Sequence, residues 1–262
     1  MRTTLLMNAK GGVGKTTTAI NMAAELASRG KRVCVIDADP QCNATDFLHS
    51  ENAPQDDDKP TLYDALTGAA ACYQNLLRET RLKGVSMIAS DERLFLADLA
   101  ALRHNGARMR AIRDMTEAMA EDDTFDYVLV DCPPGFTAAS TSALAAADDV
   151  VIPMRLDAFS LKGEEFLVRQ VDAMREFNRR LRIAGVLVTM VKLRTIICRN
   201  GMGLLRQSAI PVFDAFIEDS IVADASTYYG MPFRYMPRAV KLAAQYGEFV
   251  DEYLKGGARR VR

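Results

Sequence analysis

Ala9-Lys10-Gly11-Gly12-Val13-Gly14-Lys15-Thr16-Thr17 is the stretch that decides the fold. It lies between an apolar run of strand type, Thr3 to Met7, and a segment with apolar residues at helical spacing, Gly14 to Ser28 (Ile20, Met22, Ala23, Leu26). Glycines let the backbone turn tightly and aim its N–H groups inward. With the positive end of the following helix, those donors form a nest for phosphate oxygens. Lys15 is then expected to reach the β- and γ-phosphates of a nucleotide, and the Thr16 hydroxyl to ligate Mg²⁺. The usual phosphate-loop pattern has glycine where this chain has Ala9, and Lys10 is a second lysine within the loop.

Outward from the loop, short apolar runs alternate with helical patterns. The runs are Arg32 to Ile36, Gly84 to Ala89, Tyr127 to Val130, Val150 to Pro153, Ile183 to Val188 and Ile210 to Phe213. They are continuously apolar rather than alternating, which marks strands covered on both faces. Strand and helix in alternation predict an α/β fold. Its mostly parallel sheet has about seven strands and right-handed crossovers. Glu51 to Lys59 (ENAPQDDDK) reads as an inserted loop and Gly256 to Arg262 as a frayed tail.

Composition sets bounds. Lys and Arg number 33 against 34 Asp and Glu, so any nucleic-acid contact must come from a local patch. Cys34, Cys42, Cys72, Cys132 and Cys198 are odd in number and lack C-x-x-C spacing. That argues for a reducing, cytoplasmic setting and against a disulfide framework or structural zinc. No run has the length and apolarity of a membrane span. His49 and His104 lie far apart and read as surface or loop residues.

Two acidic sites complete the pattern. One strand ends in Ile36-Asp37-Ala38-Asp39-Pro40-Gln41 and another in Val130-Asp131-Cys132-Pro133-Pro134-Gly135. A carboxylate at the C-terminal end of a parallel strand faces the ligand crevice. Asp131, ending a buried apolar strand, is placed to hold Mg²⁺ directly or through water. Asp37 reads equally as a structural loop carboxylate or a functional one.

KGGVGKTT resembles the deviant Walker A motif of the ParA/MinD family of P-loop ATPases. DADPQCNAT (37–45) and DCPPG (131–135) are similar to segments of its ParA/Soj partition branch, as are 60–66, 147–163 and 183–191. The resemblance implies ATP and Mg²⁺ as cofactors. Lys10, Gly11, Gly12, Val13, Gly14, Lys15, Thr16 and Thr17 would cradle the nucleotide, and Lys10 would reach across to the nucleotide of a second subunit in a homodimer that sandwiches ATP. Asp39 would orient the attacking water, and 131–135 would sense the γ-phosphate. Cys132 invites comparison with the related nitrogenase iron protein, but that relative's second cysteine loop is not apparent.

The resemblance is to the short form, one P-loop ATPase domain over 1–262 without an N-terminal helix-turn-helix. It implies a nucleoid-associated protein that binds double-stranded DNA without sequence preference and answers to a ParB-like activator. A basic excess supports DNA: Arg175, Arg179, Arg180, Arg182, Lys192, Arg194, Arg199 and Arg206 against Glu176 alone, with Arg194 and Arg199 as the chosen contacts. The C-terminal stretch adds Arg234, Arg238, Lys241, Lys255, Arg259, Arg260 and Arg262. Where the family often carries a basic I-P-R-N segment, this chain has Ile217-Glu218-Asp219-Ser220, whose acids are expected to repel phosphate. The alternative is a MinD-like membrane- or protein-positioning ATPase. Its amphipathic C-terminal helix is not evident, since GGARRVR offers only Val261. A P-loop tyrosine kinase would need a tyrosine-rich tail after Tyr253, and a non-enzymatic scaffold would not need Lys15, Asp39 and Asp131 together. No membrane partner is expected.

Overall fold

The computed structural model describes residues 1–50, 59–70, 72–103, 109–156, 160–208 and 210–258. The insertion expected over Glu51 to Lys59 therefore lies outside the described residues except for Lys59. So do His104 and the tail arginines Arg259, Arg260 and Arg262.

The strands are β1 (Arg2–Leu6), β2 (Val33–Asp37), β3 (Leu77–Glu79), β4 (Val85–Ile88), β5 (Tyr127–Asp131), β6 (Asp149–Arg155), β7 (Arg182–Val191) and β8 (Val212–Glu218). They form one sheet in the order β3-β4-β2-β5-β1-β6-β7-β8. Every pairing is parallel except β3 with β4. The α/β class and the parallel sheet are as expected, with an eighth strand added. That strand, Leu-Arg-Glu, is too short and too polar to register as an apolar run.

Side chains alternate between two helical layers. Leu5, Cys34, Ile36, Val128 and Val130 face one core, under α3 (Leu62–Thr67), α4 (Leu94–Arg103), α5 (Ala111–Glu121), α6 (Ala138–Ala146), α7 (Ser160–Met174) and α8 (Ile196–Gln207). Leu6, Val33, Val35 and Leu129 face the other, under α1 (Lys15–Ser28), α2 (Asn43–Leu48) and α10 (Val240–Leu254). With both faces covered, neither side of a strand needs polar residues. Continuous apolar runs are the result. β8 departs from this. Phe213, Ala215 and Ile217 are buried while Asp214 is exposed, so the strand runs on through Glu218, beyond the apolar run that ends at Phe213.

Two anchors lie away from the C-terminal strand ends. At the opposite end of the sheet Asp149 is fully buried, with Arg2 Nε at 3.2 Å, Arg182 Nε at 2.6 Å and the Tyr253 hydroxyl donating at 2.9 Å. Removing one partner from a buried ion pair is strongly destabilising, so these contacts tie β1, β6, β7 and α10 together. At the edge of the sheet the Glu252 carboxylate of α10 accepts from the backbone N–H groups of Asp214 and Ala215 at 3.0–3.1 Å.

Gly185 marks a tight approach. β6 and β7 slip register at Val150/Val151, where Gly185 takes φ +153°. A Cβ there would lie 2.5 Å from Ala258 Cβ and 2.8 Å from the Phe213 ring. Gly185→Ala is therefore expected to destabilise the fold by about 2 kcal/mol through overpacking. Urea unfolding should show a lowered midpoint at unchanged slope, and an unaltered midpoint would show that this corner yields.

Candidate nucleotide and metal site

The loop from Asn8 to Gly14 leaves β1 at the C-terminal edge of the sheet. Asn8 shapes its start: its side chain donates to Pro153 O at 2.9 Å and accepts from Lys10 N at 3.0 Å. Gly12 and Gly14 adopt φ +70° and +85°, where a side chain would be strained. Gly14 caps α1, and Thr18 N–H to Gly14 O, at 2.9 Å, starts the helical ladder. The N–H groups of Lys15, Thr16 and Thr17 precede that ladder and, by helix geometry, turn into the loop. Val13 is buried, and its carbonyl accepts from the Thr189 hydroxyl of β7 at 2.8 Å.

The two lysines of the loop differ sharply. Lys10 is exposed on the outer rim. Lys15 is buried, and its ammonium donates to Lys10 O at 3.2 Å across the loop. Burial pushes the Lys15 ammonium down, and the Asp131 and Asp39 carboxylates work against that shift.

Asp131 ends β5 with no solvent exposure, and among the described residues neither carboxylate oxygen has a hydrogen-bond partner. It stands in register beside Asp37, the last residue of β2. Burial, and then Asp37, push Asp131 well above the usual carboxylate range. The Thr16 hydroxyl, near but outside hydrogen-bond geometry, and Lys15 oppose this. Two orphaned, buried oxygens beside a helix-start threonine fit a hard divalent cation. Among the described residues no three His, Cys, Asp or Glu side chains gather into a metal cage. Such a cation would draw its other ligands from phosphate and water.

Asp37 is committed differently. One oxygen accepts from Thr45 N and Thr45 Oγ1, both at 2.8 Å, and the other from Asp39 N at 3.1 Å. Its two sequence readings are thus resolved toward structure: it anchors α2 to β2. Burial pushes it up to about 6 against those hydrogen bonds. Asp39, 8% exposed, accepts from Gln41 N at 2.9 Å and heads the turn that Cys42 closes at φ +56°. Cys132 is fully buried, and burial pushes its thiol far up, which suits a core residue.

Two cavities flank the start of α1. One, of about 370 Å³, is lined by Gly14, Thr17, Thr189, Met190, residues 217–221, Ala223, Asp224, Phe233, Leu242 and Tyr246, a mixed wall whose apolar part fits a planar base. Met190 takes φ +53°, an unusual conformation for its residue type. The other, of about 650 Å³, opens between α1, α2 and α9 (Val222–Tyr229) and is lined by Thr16, Asn21, Asp46, Tyr228 and Tyr229 among others. Sequence reading located neither cavity, nor Asn8, nor the hydroxyl of Thr45. Their walls come from segments far apart in the chain, and no motif marks them.

The basic stretch from Arg175 to Arg206 is not one surface. β7 spans ten residues, about 33 Å, and separates its two ends. At the start, Arg175 pairs with Asp172 at 2.6 Å, Arg180 with Asp148 at 3.6 Å and Arg182 with Asp149 at 2.6 Å. Past its end, Arg194 and Arg199 are exposed on the nucleotide side, and Lys192 pairs with Asp219 at 3.3 Å. Glu218 likewise meets Lys241 at 2.7 Å and Arg234 meets Glu25 at 3.0 Å. The acidic pair at 218–219 is therefore matched by lysines, which blunts the repulsion expected of it. Nothing is described of the Arg206 side chain.

Comparison with known proteins gives a consistent picture. A family model described as an AAA domain matches residues 1–183. The chain is similar to the chromosome partitioning protein ParA of Caulobacter vibrioides, with 35% identity over 234 residues covering 88% of this chain and 86% of that one. It is similar also to the sporulation initiation inhibitor protein Soj of Bacillus subtilis, with 36% identity over 191 residues, 72% of this chain and 73% of that one. Among solved structures, the cobyrinic acid a,c-diamide synthase of Mycobacterium smegmatis with bound ATP analogue and magnesium superposes over 100% of both chains. The TM-score is 0.81 and the identity 25%.

The orphaned carboxylate at 131 carries its own test. Asp131→Asn removes a buried charge set beside Asp37, so the metal-free protein should melt about 2–4 °C higher. A raised carboxylate pKa costs stability as the pH rises and the proton is lost. The gain should therefore grow on going from acid to neutral pH. Stabilisation by added Mg²⁺ and nucleotide should disappear in the same variant. Thermal melts with and without Mg²⁺ check both halves, and a lower metal-free Tm would count against a charge held for a cation.

Proposed function

Because the chain belongs to the ParA/Soj family of P-loop ATPases, we propose that it is a partition ATPase. On Mg²⁺–ATP it closes as a homodimer, binds double-stranded DNA without sequence preference, and is reset by slow hydrolysis to ADP and phosphate. The observation that carries this reading is the convergence of Lys15, Thr16, Asp39 and Asp131, whose oxygens have no hydrogen-bond partner among the described residues, at one end of the sheet. Lys15 neutralises charge on the β- and γ-phosphates, and the nest of residues 10–17 fixes their orientation. Thr16 and Asp131 would hold Mg²⁺, which when bound screens the phosphate charge. Asp39 orients the attacking water. Lys10, exposed on the rim, supplies a cation to the nucleotide of the second subunit, by the same physics as an arginine finger. The base takes the cavity beside Met190 and Tyr246.

DNA is the proposed matrix, with Arg194 and Arg199 as contacts and a nucleoid location as the result. Both arginines lie on the C-terminal side of the sheet, the side of the phosphate loop. Closing two subunits would double the phosphate contacts and add avidity. A ParB-like protein is the proposed activator. A second reading, a membrane- or protein-positioning ATPase of MinD type, is favoured by one observation: Leu193, Ile196 and Ile197 are 51%, 74% and 65% exposed beside those arginines. Bulky aliphatics among basic residues suit a lipid headgroup layer. The described residues include no helix long and apolar enough to cross a membrane.

Dimer closure is tested by trapping. Asp39→Ala should bind ATP, lose turnover and elute as a dimer with Mg²⁺–ATP, and adding Lys10→Ala should return it to monomer. An unchanged elution volume in the double variant would sink the role of Lys10 in trans.

DNA binding is tested on the trapped Asp39→Ala dimer. Gel shifts should be indifferent to sequence and weaken with salt at a log–log slope of about −0.9 per phosphate neutralised. Arg194→Glu with Arg199→Glu should abolish the shift and leave dimerisation intact. No shift at low salt, with flotation on anionic vesicles instead, would transfer the case to the second reading.

A further inference from the structure

We infer that Thr45 is a positioning residue for hydrolysis, holding the carboxylate of Asp39 in place through Asp37. The inference rests on the reading of Asp39 given above, and a chain of hydrogen bonds carries it. Ser90 N, just beyond the end of β4, donates to Thr45 Oγ1 at 3.0 Å. A backbone N–H can only donate, so the hydroxyl must accept there. Its single proton is thereby committed to Asp37 Oδ2, at 2.8 Å. The Thr45 N–H adds a second bond to the same oxygen at 2.8 Å. Held by these two, Asp37 presents Oδ1 to Asp39 N at 3.1 Å, and Asp39 Oδ1 in turn accepts from Gln41 N at 2.9 Å. The direction of every link is set by donor and acceptor chemistry.

The link joins two strand ends to one turn. β4 and β2 are neighbours in register, Ile36 beside Ile88, so Ser90 and Asp37 leave the sheet on the same side. Thr45 bridges them from the first turn of α2. Without its hydroxyl, Ser90 N loses an acceptor and the Asp37 carboxylate keeps one bond on Oδ2 in place of two. The carboxylate is then held by two backbone N–H groups alone, one on each oxygen, and the Asp39 backbone it braces shifts with it. Displacement of a water-orienting group by a fraction of an ångström lowers the rate of the chemical step. Nucleotide binding rests on other elements. The phosphate nest, Lys15 and Thr16 are carried by β1 and α1, and Thr189 steadies the loop from β7.

The expected signature is a split between turnover and binding. Thr45→Val keeps the shape and loses the hydroxyl. It should lower kcat about tenfold or more while KM for ATP stays within about threefold, since an interaction made only in the chemical step is removed. Thr45→Ser restores the hydroxyl and should bring kcat back to within about threefold of the wild type. Thermal melts accompany the kinetics. Should Thr45→Val melt near the assay temperature, Thr45→Ala removes the same hydroxyl and carries the same expectation. Wild-type kcat in the valine variant would overturn the proposal. So would a loss that Thr45→Ser shares, or an equal loss of nucleotide affinity. A wild-type protein that binds ATP without hydrolysing it would instead remove the reading on which the proposal stands.

Discussion

Two carboxylates stand side by side at the ends of β2 and β5, out of water, and most of the site follows from how they are kept apart in role. Neighbouring buried acids cannot both ionise cheaply, so each needs its own compensation. Asp37 finds it in protein: three hydrogen bonds from Thr45 and Asp39. Asp131 finds none within the described structure, with only Lys15 and Thr16 nearby to favour its charge. The satisfied acid is a strut and the unsatisfied acid is a socket. Their order along the chain does not distinguish them. The difference lies in what folds over each one.

The same constraint explains why the fold was easier to read than the site. A parallel sheet buried on both faces imposes continuous apolar runs, and those runs stand in the sequence for all to see. The phosphate loop is equally legible because its backbone geometry demands glycine at Gly12 and Gly14, and because lysine and threonine must follow at once. Asp39 and Asp131 could be placed because strand ends are predictable once strands are. Asn8 and the base cavity were not legible, because they depend on partners far away in sequence, as Asn8 does on Pro153. Thr45 stands in the quoted segment 37–45, but its role emerges only where Ser90 meets it from beyond β4. β3 was missed because three half-exposed residues carry no periodicity, and β8 was cut short because its alternation breaks the apolar run.

Charge was the least legible property. A run of arginines in sequence looks like a patch, yet β7 carries its two parts to opposite ends of the sheet. There acids pair with four of the eight basic groups. Arg182 serves the buried Asp149, and Lys192 serves Asp219. Only after this pairing is counted do Arg194 and Arg199 stand out. The reverse correction holds for Glu218 and Asp219, whose charge is met by Lys241 and Lys192 and so does not stand as a bare acidic barrier.

The margins of the sheet set a rule for how copies of this molecule can meet. One border strand, β3, is three residues long, and Lys59 Nζ donates to its Leu77 carbonyl at 3.2 Å. At the other border, Glu252 occupies the N–H groups of Asp214 and Ala215. A foreign strand therefore finds little backbone to pair with at either side. These contacts work against lateral growth of the sheet at both borders. The rim that carries the glycine loop has no such cover: Lys10 stands exposed there.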